Sequence, residues 1–100
     1  MAGGSRRFTL DIPPDISDVI RHLSPDVKRG VRAALRTLTQ NPHEGVRLVR
    51  ELEGKWQYRV RRYRIAYELD AGRRVLRVVA VAHRRDVYEQ LAARLRSRFR

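Results

Sequence analysis

The chain has no cysteine, which excludes disulfides, thiolate metal sites and cysteine nucleophiles together. Its three histidines, His22, His43 and His83, are scattered, so a histidine-based metal site is not expected and no cofactor is called for. No apolar run approaches the roughly 18 residues that cross a bilayer. The opening MAGGSRR lacks the apolar stretch of a secretory signal. A soluble, cytoplasmic protein with no membrane partner is expected. At 100 residues it makes one domain, 1–100, large enough for one small core without staples.

Acidic side chains are scarce: 11, against 23 basic ones, for a net charge of +12. Residues 1–54 carry nine basic and seven acidic side chains, and residues 55–100 carry fourteen and four. Of the basic residues, 21 are arginine, which stays charged and grips phosphate with a planar fork. A general preference for arginine over lysine explains that ratio but not the asymmetry. The C-terminal half should meet nucleic acid, an acidic protein or an anionic surface.

The alternation Phe8, Leu10, Ile12 predicts a first strand over Arg7–Ile12, ended by Pro13-Pro14. Ile16, Val19, Ile20 and Leu23 then follow helical spacing. Ser24 reads as an N-cap with Pro25 at the first helical position. The second helix sets Val27, Val31, Ala34, Leu35 and Leu38 on one face and Lys28, Arg29, Arg32 and Arg36 on a solvated one. The pair should form a tight helical hairpin closed by Asn41-Pro42. His43–Gly54, with Val46, Leu48, Val49 and Leu52, reads as a packed loop or a short strand. Three strands follow, Lys55–Arg61, Tyr63–Leu69 and Val75–Ala82, the last nearly all apolar and therefore central and covered on both faces. The near absence of a gap makes Arg61-Arg62 the expected tip of a tight hairpin; because neither residue is glycine or asparagine, a longer, looser tip is the alternative. Asp86–Phe99 has helical spacing in Val87, Leu91 and Leu95 and ends in a basic tail. The class is α+β: an N-terminal strand, an αα-hairpin, a three-stranded antiparallel meander completing a four-stranded sheet, and a C-terminal helix.

In QYRVRRYRIAYELD (57–70), Gln57, Arg59 and Arg61 project opposite Trp56, Tyr58 and Val60. The tryptophan and Tyr58, Tyr63 and Tyr67 read as core or core-edge aromatics. If the last strand pairs beside this hairpin, Arg84 and Tyr88 of HRRDVYE (83–89) approach Arg59 and Arg64. The product is a concave cationic surface with one phenol at its rim, suited to a bent single-stranded RNA.

The run LEGKWQYRVRRYRIAYE (52–68) followed by VVAVAHRRDVYE (78–89) resembles the RelE family of bacterial type II toxins, within the RelE/ParE superfamily. The helical hairpin ending in Asn41-Pro42 looks like the same family's αα unit. The resemblance implies the RelE-like fold and a metal-independent, ribosome-dependent endoribonuclease cutting mRNA. It also implies a cognate acidic antitoxin, assembled with the toxin as a hetero-oligomer. Carried over by motif, the catalytic set is Arg59, Arg64, Arg84 and Tyr88. Lys55, Arg61, Arg62, His83 and Arg85 are expected to bind substrate. Two departures stand out: a basic family position falls on Gln57, and a glycine-containing turn is replaced by Arg61-Arg62.

The residue types suit the chemistry. Arginines prearranged around a phosphorane stabilise charge that grows in the transition state. A phenol is the better base, although a free one titrates near 10 and needs about 4 kcal/mol of help from neighbouring cations to act near neutrality. Two alternatives are a ParE-like inhibitor of DNA gyrase and a catalytically degenerate nucleic-acid-binding member. ParE-like chains generally lack the arginine-plus-tyrosine set.

Overall fold

Arg61-Arg62 joins two strands of matched alternation, and the rest of the molecule is laid against the resulting hairpin. The computed structural model describes residues 7–49 and 53–98. In chain order they form β1 (Thr9–Asp11), α1 (Pro14–Arg21), α2 (Pro25–Gln40), a 3-10 turn (Pro42–Glu44), β2 (Val46–Arg47), β3 (Lys55–Val60), β4 (Tyr63–Asp70), β5 (Val75–His83) and α3 (Val87–Arg98). One mixed sheet has the order β1-β5-β4-β3-β2. β1 runs parallel to β5, and the other pairings are antiparallel.

The α+β class and the element order match the sequence reading, with five strands in place of four. The extra one is β2, where Val46 pairs Gln57 and Arg47 pairs Trp56. Within the segment left open between a packed loop and a short strand, Val46–Arg47 is therefore a strand, too short for its pattern to declare it. The middle position in the sheet belongs to β4, not β5, although β5 is buried on both faces as expected. Ser24 stands at the N-cap of α2 but makes no side-chain capping bond, so Pro25 and Asp26 carry that helix start. Leu52, Phe99, Arg100 and the first six residues of MAGGSRR lie outside the described residues.

Two cores sandwich the sheet. On one face α1 and α2 bury Ile16, Ile20, Val31, Leu35 and Leu38 against Val60, Ile65, Tyr67, Leu76, Val78 and Val81. On the other, Val87 and Leu91 of α3 cover Ala66, Val79, Ala80 and Ala82. A bulge decides which β5 residues go where. Ala66 pairs Ala80 but Tyr67 pairs Val78, so Val79 is the extra residue and the alternation of β5 breaks there. Val79 and Ala80 consequently both serve the α3 side, which explains the unbroken apolar run. Small alanines on β4 and β5 let α3 lie close to the strands.

Tyr67 ties the sheet to the loop before β2. It is fully buried, its hydroxyl donates to the Pro42 carbonyl (2.8 Å) and accepts from the Gly45 amide (3.2 Å). Its ring stacks on Trp56 with centroids 6.3 Å apart. Gly45 is required by proximity, because a Cβ there would stand 2.5 Å from the Tyr67 hydroxyl and 2.7 Å from the Gln57 carbonyl.

Burial pushes the Tyr67 phenol up to about 12. A raised native pKa stabilises the fold fully below the unfolded value near 10, and that contribution is lost as pH rises through 10 to 12. Denaturation at pH 9 and 11.5 should therefore show a drop in wild type that Tyr67→Phe lacks. At neutral pH that variant should cost about 1–3 kcal/mol, because a buried amide and carbonyl lose their partner. Gly45→Ala should destabilise by about 1–3 kcal/mol through overpacking, measured as a lower denaturation midpoint with unchanged slope.

Candidate nucleic-acid interface

Register brings the arginines together. In the β3–β4 pair Arg59 lies directly opposite Arg64, and Arg64 in turn pairs Ala82 on β5. Since paired residues share a face, both arginines project on the α3 side of the sheet, at the end nearest the hairpin tip. The tip itself is the tight, two-residue connection expected at Arg61-Arg62, because Val60 still pairs Tyr63. Arg61 accommodates it with φ +55°, in the left-handed region. The end of β5 is tied to the same place: the Arg84 amide donates to the Arg62 carbonyl at 2.7 Å. Thus Arg59, Arg61, Arg62, Arg64 and Arg84 gather at one end of the sheet.

Tyr88 follows in the first turn of α3 and is 53% exposed. Val87 and Leu91 turn toward the sheet, while Gln90, Ala93 and Arg94 line a groove against α1. At about 100° per residue, Tyr88 falls on the flank of α3 away from that groove. The rotation of α3 is held by Arg94, whose guanidinium meets Asp15 at 2.9 and 3.4 Å. That hydrogen bond holds the Asp15 carboxyl below its usual value.

Two expected substrate contacts are placed elsewhere. His83 pairs Tyr63, and their rings meet edge to face at 5.7 Å, on the helix-pair face opposite Arg59 and Arg64. Its Nδ1 accepts from the Arg85 amide at 3.3 Å, so it shapes the turn into α3. Lys55 shares the arginines' face but lies four residues, or about 13 Å, back along β3 from Arg59. It pairs there with Glu68 at 2.8 Å, in a chain of charges that continues to Arg77 (3.5 Å) and Asp11 (2.9 Å). Glu68 is the signal that sequence reasoning missed: the hairpin register puts a carboxylate across from Lys55 and none across from Arg59.

The acids are spent away from the tip. Asp18 holds Arg21, Asp26 holds Arg29, Asp15 holds Arg94, and Glu68 with Asp11 holds Lys55 and Arg77. Among the described residues, Arg59, Arg61, Arg62, Arg84 and Arg85 have no ion-pair partner. Gln57 lies between Lys55 and Arg59 on this face, and its Oε1 is buried with no hydrogen-bond partner among the described residues. No cluster of His, Cys, Asp and Glu able to hold a metal occurs among them either. No described helix is long and apolar enough to cross a membrane.

Solved structures share this architecture. A chain of the RelBE2 toxin–antitoxin complex of Mycobacterium tuberculosis is 25% identical, with a TM-score of 0.70 over 77% of this chain and 98% of that one. An arginine-to-alanine double mutant of the Escherichia coli toxin RelE, in the free state, is 20% identical, with a TM-score of 0.71 over 88% and 97%. A YoeB/ParE toxin from Agrobacterium tumefaciens is 15% identical, with a TM-score of 0.65 over 76% and 98%. A sequence comparison with curated proteins finds no match. The fold is thus that of type II toxin–antitoxin toxins, and the resemblance drawn from the sequence is borne out. The chain belongs to the ParE toxin family: a family model described as "ParE toxin of type II toxin-antitoxin system, parDE" matches residues 8–88.

The two kinds of cation should separate by experiment. Lys55→Ala should destabilise by about 1–3 kcal/mol, because Glu68 loses a partner in a half-buried setting. Arg59→Ala should leave stability within about 0.5 kcal/mol, since nothing in the fold depends on it. Urea denaturation of both variants measures the contrast.

Proposed function

We propose that this toxin is a metal-independent, ribosome-dependent endoribonuclease that cleaves mRNA. The supporting observation is the gathering of Arg59, Arg64 and the tethered Arg84 at one sheet end, with no ion pair to any of the three among the described residues. In this reading the Tyr88 side-chain oxygen is the base that takes the proton of a ribose 2′-hydroxyl. The 2′-oxygen attacks the adjacent phosphorus, and the bond to the 5′-oxygen breaks. The products are a 2′,3′-cyclic phosphate and a 5′-hydroxyl, whose proton comes from water. Arg59 and Arg64 stabilise the phosphorane charge and Arg84 the leaving oxygen. Arg61, Arg62 and Arg85 hold flanking phosphates. The ribosome supplies positioning, which can be worth several kcal/mol, so free RNA should be a poor substrate.

A cognate antitoxin fits the same surface. Solved neighbours of this fold include toxin–antitoxin complexes, among them RelBE2 and the Escherichia coli RelBE complex. An acidic, partly disordered partner that folds on binding would cover the arginines and inhibit by occlusion, giving a hetero-oligomer.

A second reading is inhibition of DNA gyrase by protein contact, favoured by the ParE family match. A binding-only member of the family would cleave nothing and poison nothing. Purified toxin added to translating ribosomes with a defined mRNA should give codon-phased cuts. Tyr88→Phe should slow them about 10²- to 10⁴-fold, and Arg84→Ala about 10²- to 10³-fold. Gyrase-dependent breaks in plasmid, with mRNA left intact, would instead establish the second reading.

A further inference from the structure

The end of the sheet away from the arginines holds a cavity of about 440 Å³. Small-molecule sites commonly measure about 300–1,000 Å³. From Arg64 to Ala71 the path along β4 is about 23 Å, at about 3.3 Å per residue, so the cavity and the arginine cluster are separate places. Its walls come from three parts of the chain: Phe8 ahead of β1, the end of α2 with the Pro42–Glu44 turn, and Ala71 with Arg74 between β4 and β5. Hydrogen bonds fix these parts relative to one another. The Phe8 amide donates to the Thr39 carbonyl (2.8 Å), the Thr9 amide to the Arg74 carbonyl (2.7 Å) and the Tyr67 hydroxyl to the Pro42 carbonyl (2.8 Å). The cavity is therefore preformed.

Its lining is divided by charge. On one side α2 ends with acceptors in excess. Pro42 has no N–H for the Leu38 carbonyl four residues back, and the Glu44 amide that could serve Gln40 bonds the Asn41 carbonyl instead, at 3.0 Å. No basic residue stands in the last turn of α2, so no side chain there offsets the negative end of the helix dipole. Glu44 adds a carboxylate to that side. The β4–β5 turn contributes the opposite charge, the guanidinium of Arg74. Both residues are exposed, and neither has an ion-pair partner among the described residues, each other included. Phe8, Pro42 and Ala71 supply the apolar wall.

We propose that this cavity binds a free α-amino acid with an apolar side chain. The ammonium group meets Glu44 and the carbonyl end of α2, the carboxylate meets the Arg74 guanidinium, and the side chain lies against Phe8. A simple anion would be repelled by Glu44 and a simple cation by Arg74, so a zwitterion is the class that both accept. The inference is independent of the nuclease reading.

The probes are L-leucine and L-phenylalanine, titrated into the purified protein and followed by two-dimensional amide NMR and isothermal calorimetry. Both should shift the amides of Asn41, Glu44 and Ala71 and leave those of Arg59 and Arg64 in place. Leucinamide lacks the carboxylate and N-acetyl-leucine lacks the ammonium; each should bind at least about 10-fold more weakly than L-leucine. Glu44→Gln and Arg74→Asn should weaken L-leucine binding about 10- to 100-fold, the worth of one hydrogen bond between charged groups. Asparagine tolerates the left-handed φ of +55° at position 74, so that variant keeps the turn. Arg59→Ala should bind L-leucine as wild type does. The blocked analogues test the same two charges on wild-type protein, so the answer does not depend on either variant folding. Absence of shifts with both amino acids, or shifts confined to the arginine end, would overturn the site. Blocked analogues that bind as tightly as L-leucine would overturn the zwitterion, as would folded Glu44→Gln and Arg74→Asn proteins of unchanged affinity.

Discussion

The antiparallel register of β3 and β4 is the constraint on which the rest depends. Six consecutive pairs, from Lys55–Glu68 to Val60–Tyr63, divide the hairpin into an apolar face and a charged one. Side chains alternate with a period of two, so a slip of one residue would send Trp56, Tyr58 and Val60 into solvent and Arg59 toward the helix pair. The cost of burying an unpaired guanidinium there excludes the slip. The same register sets Arg59 across from Arg64 and Lys55 across from Glu68. Core, charge ladder and arginine cluster are consequences of one alignment, and the two-residue turn at Arg61-Arg62 pins it.

Charge is partitioned along that sheet. Toward the far end, Lys55, Glu68, Arg77 and Asp11 alternate in sign across four strands and hold β3, β4, β5 and β1 side by side. Toward the tip, among the described residues, Arg59, Arg61, Arg62 and Arg84 stand without ion-pair partners. Pairs of opposite charge add to stability where they are half-buried, while unpaired cations raise the free energy of the folded chain by mutual repulsion. In the function proposed above, a polyanionic substrate or an acidic antitoxin supplies the missing charges and completes an electrostatic structure that the protein leaves open.

Much of this was legible in the sequence. Pro25 marked the start of α2, helical spacing named the buried faces of α1 and α2, and alternation named the outward residues of β3. The catalytic candidates fell at motif positions, and the register brings Arg59, Arg64 and the backbone of Arg84 to one end of the sheet. Other features were decided by pairing across the sheet. The tight tip forms without glycine or asparagine because tertiary bonds from Arg64 and Arg84 hold it. β2 escaped because two residues carry no period. His83 was grouped with its sequence neighbours although it pairs with Tyr63 on the other face. Lys55 was grouped with the arginines because a sequence lists cations without their partners.

The amino-acid sequence by itself determined the class, the order of the elements and which face of each is apolar, because these follow from short-range periodicity and backbone chemistry. Tertiary structure alone decided which charges are cancelled and which stay open. It also decided that a bulge at Val79 turns two consecutive β5 residues toward α3, and that Arg61 sits in a left-handed turn. Those outcomes depend on pairing between residues far apart in the chain, and electrostatic neutralisation acts through distance in space rather than separation in sequence.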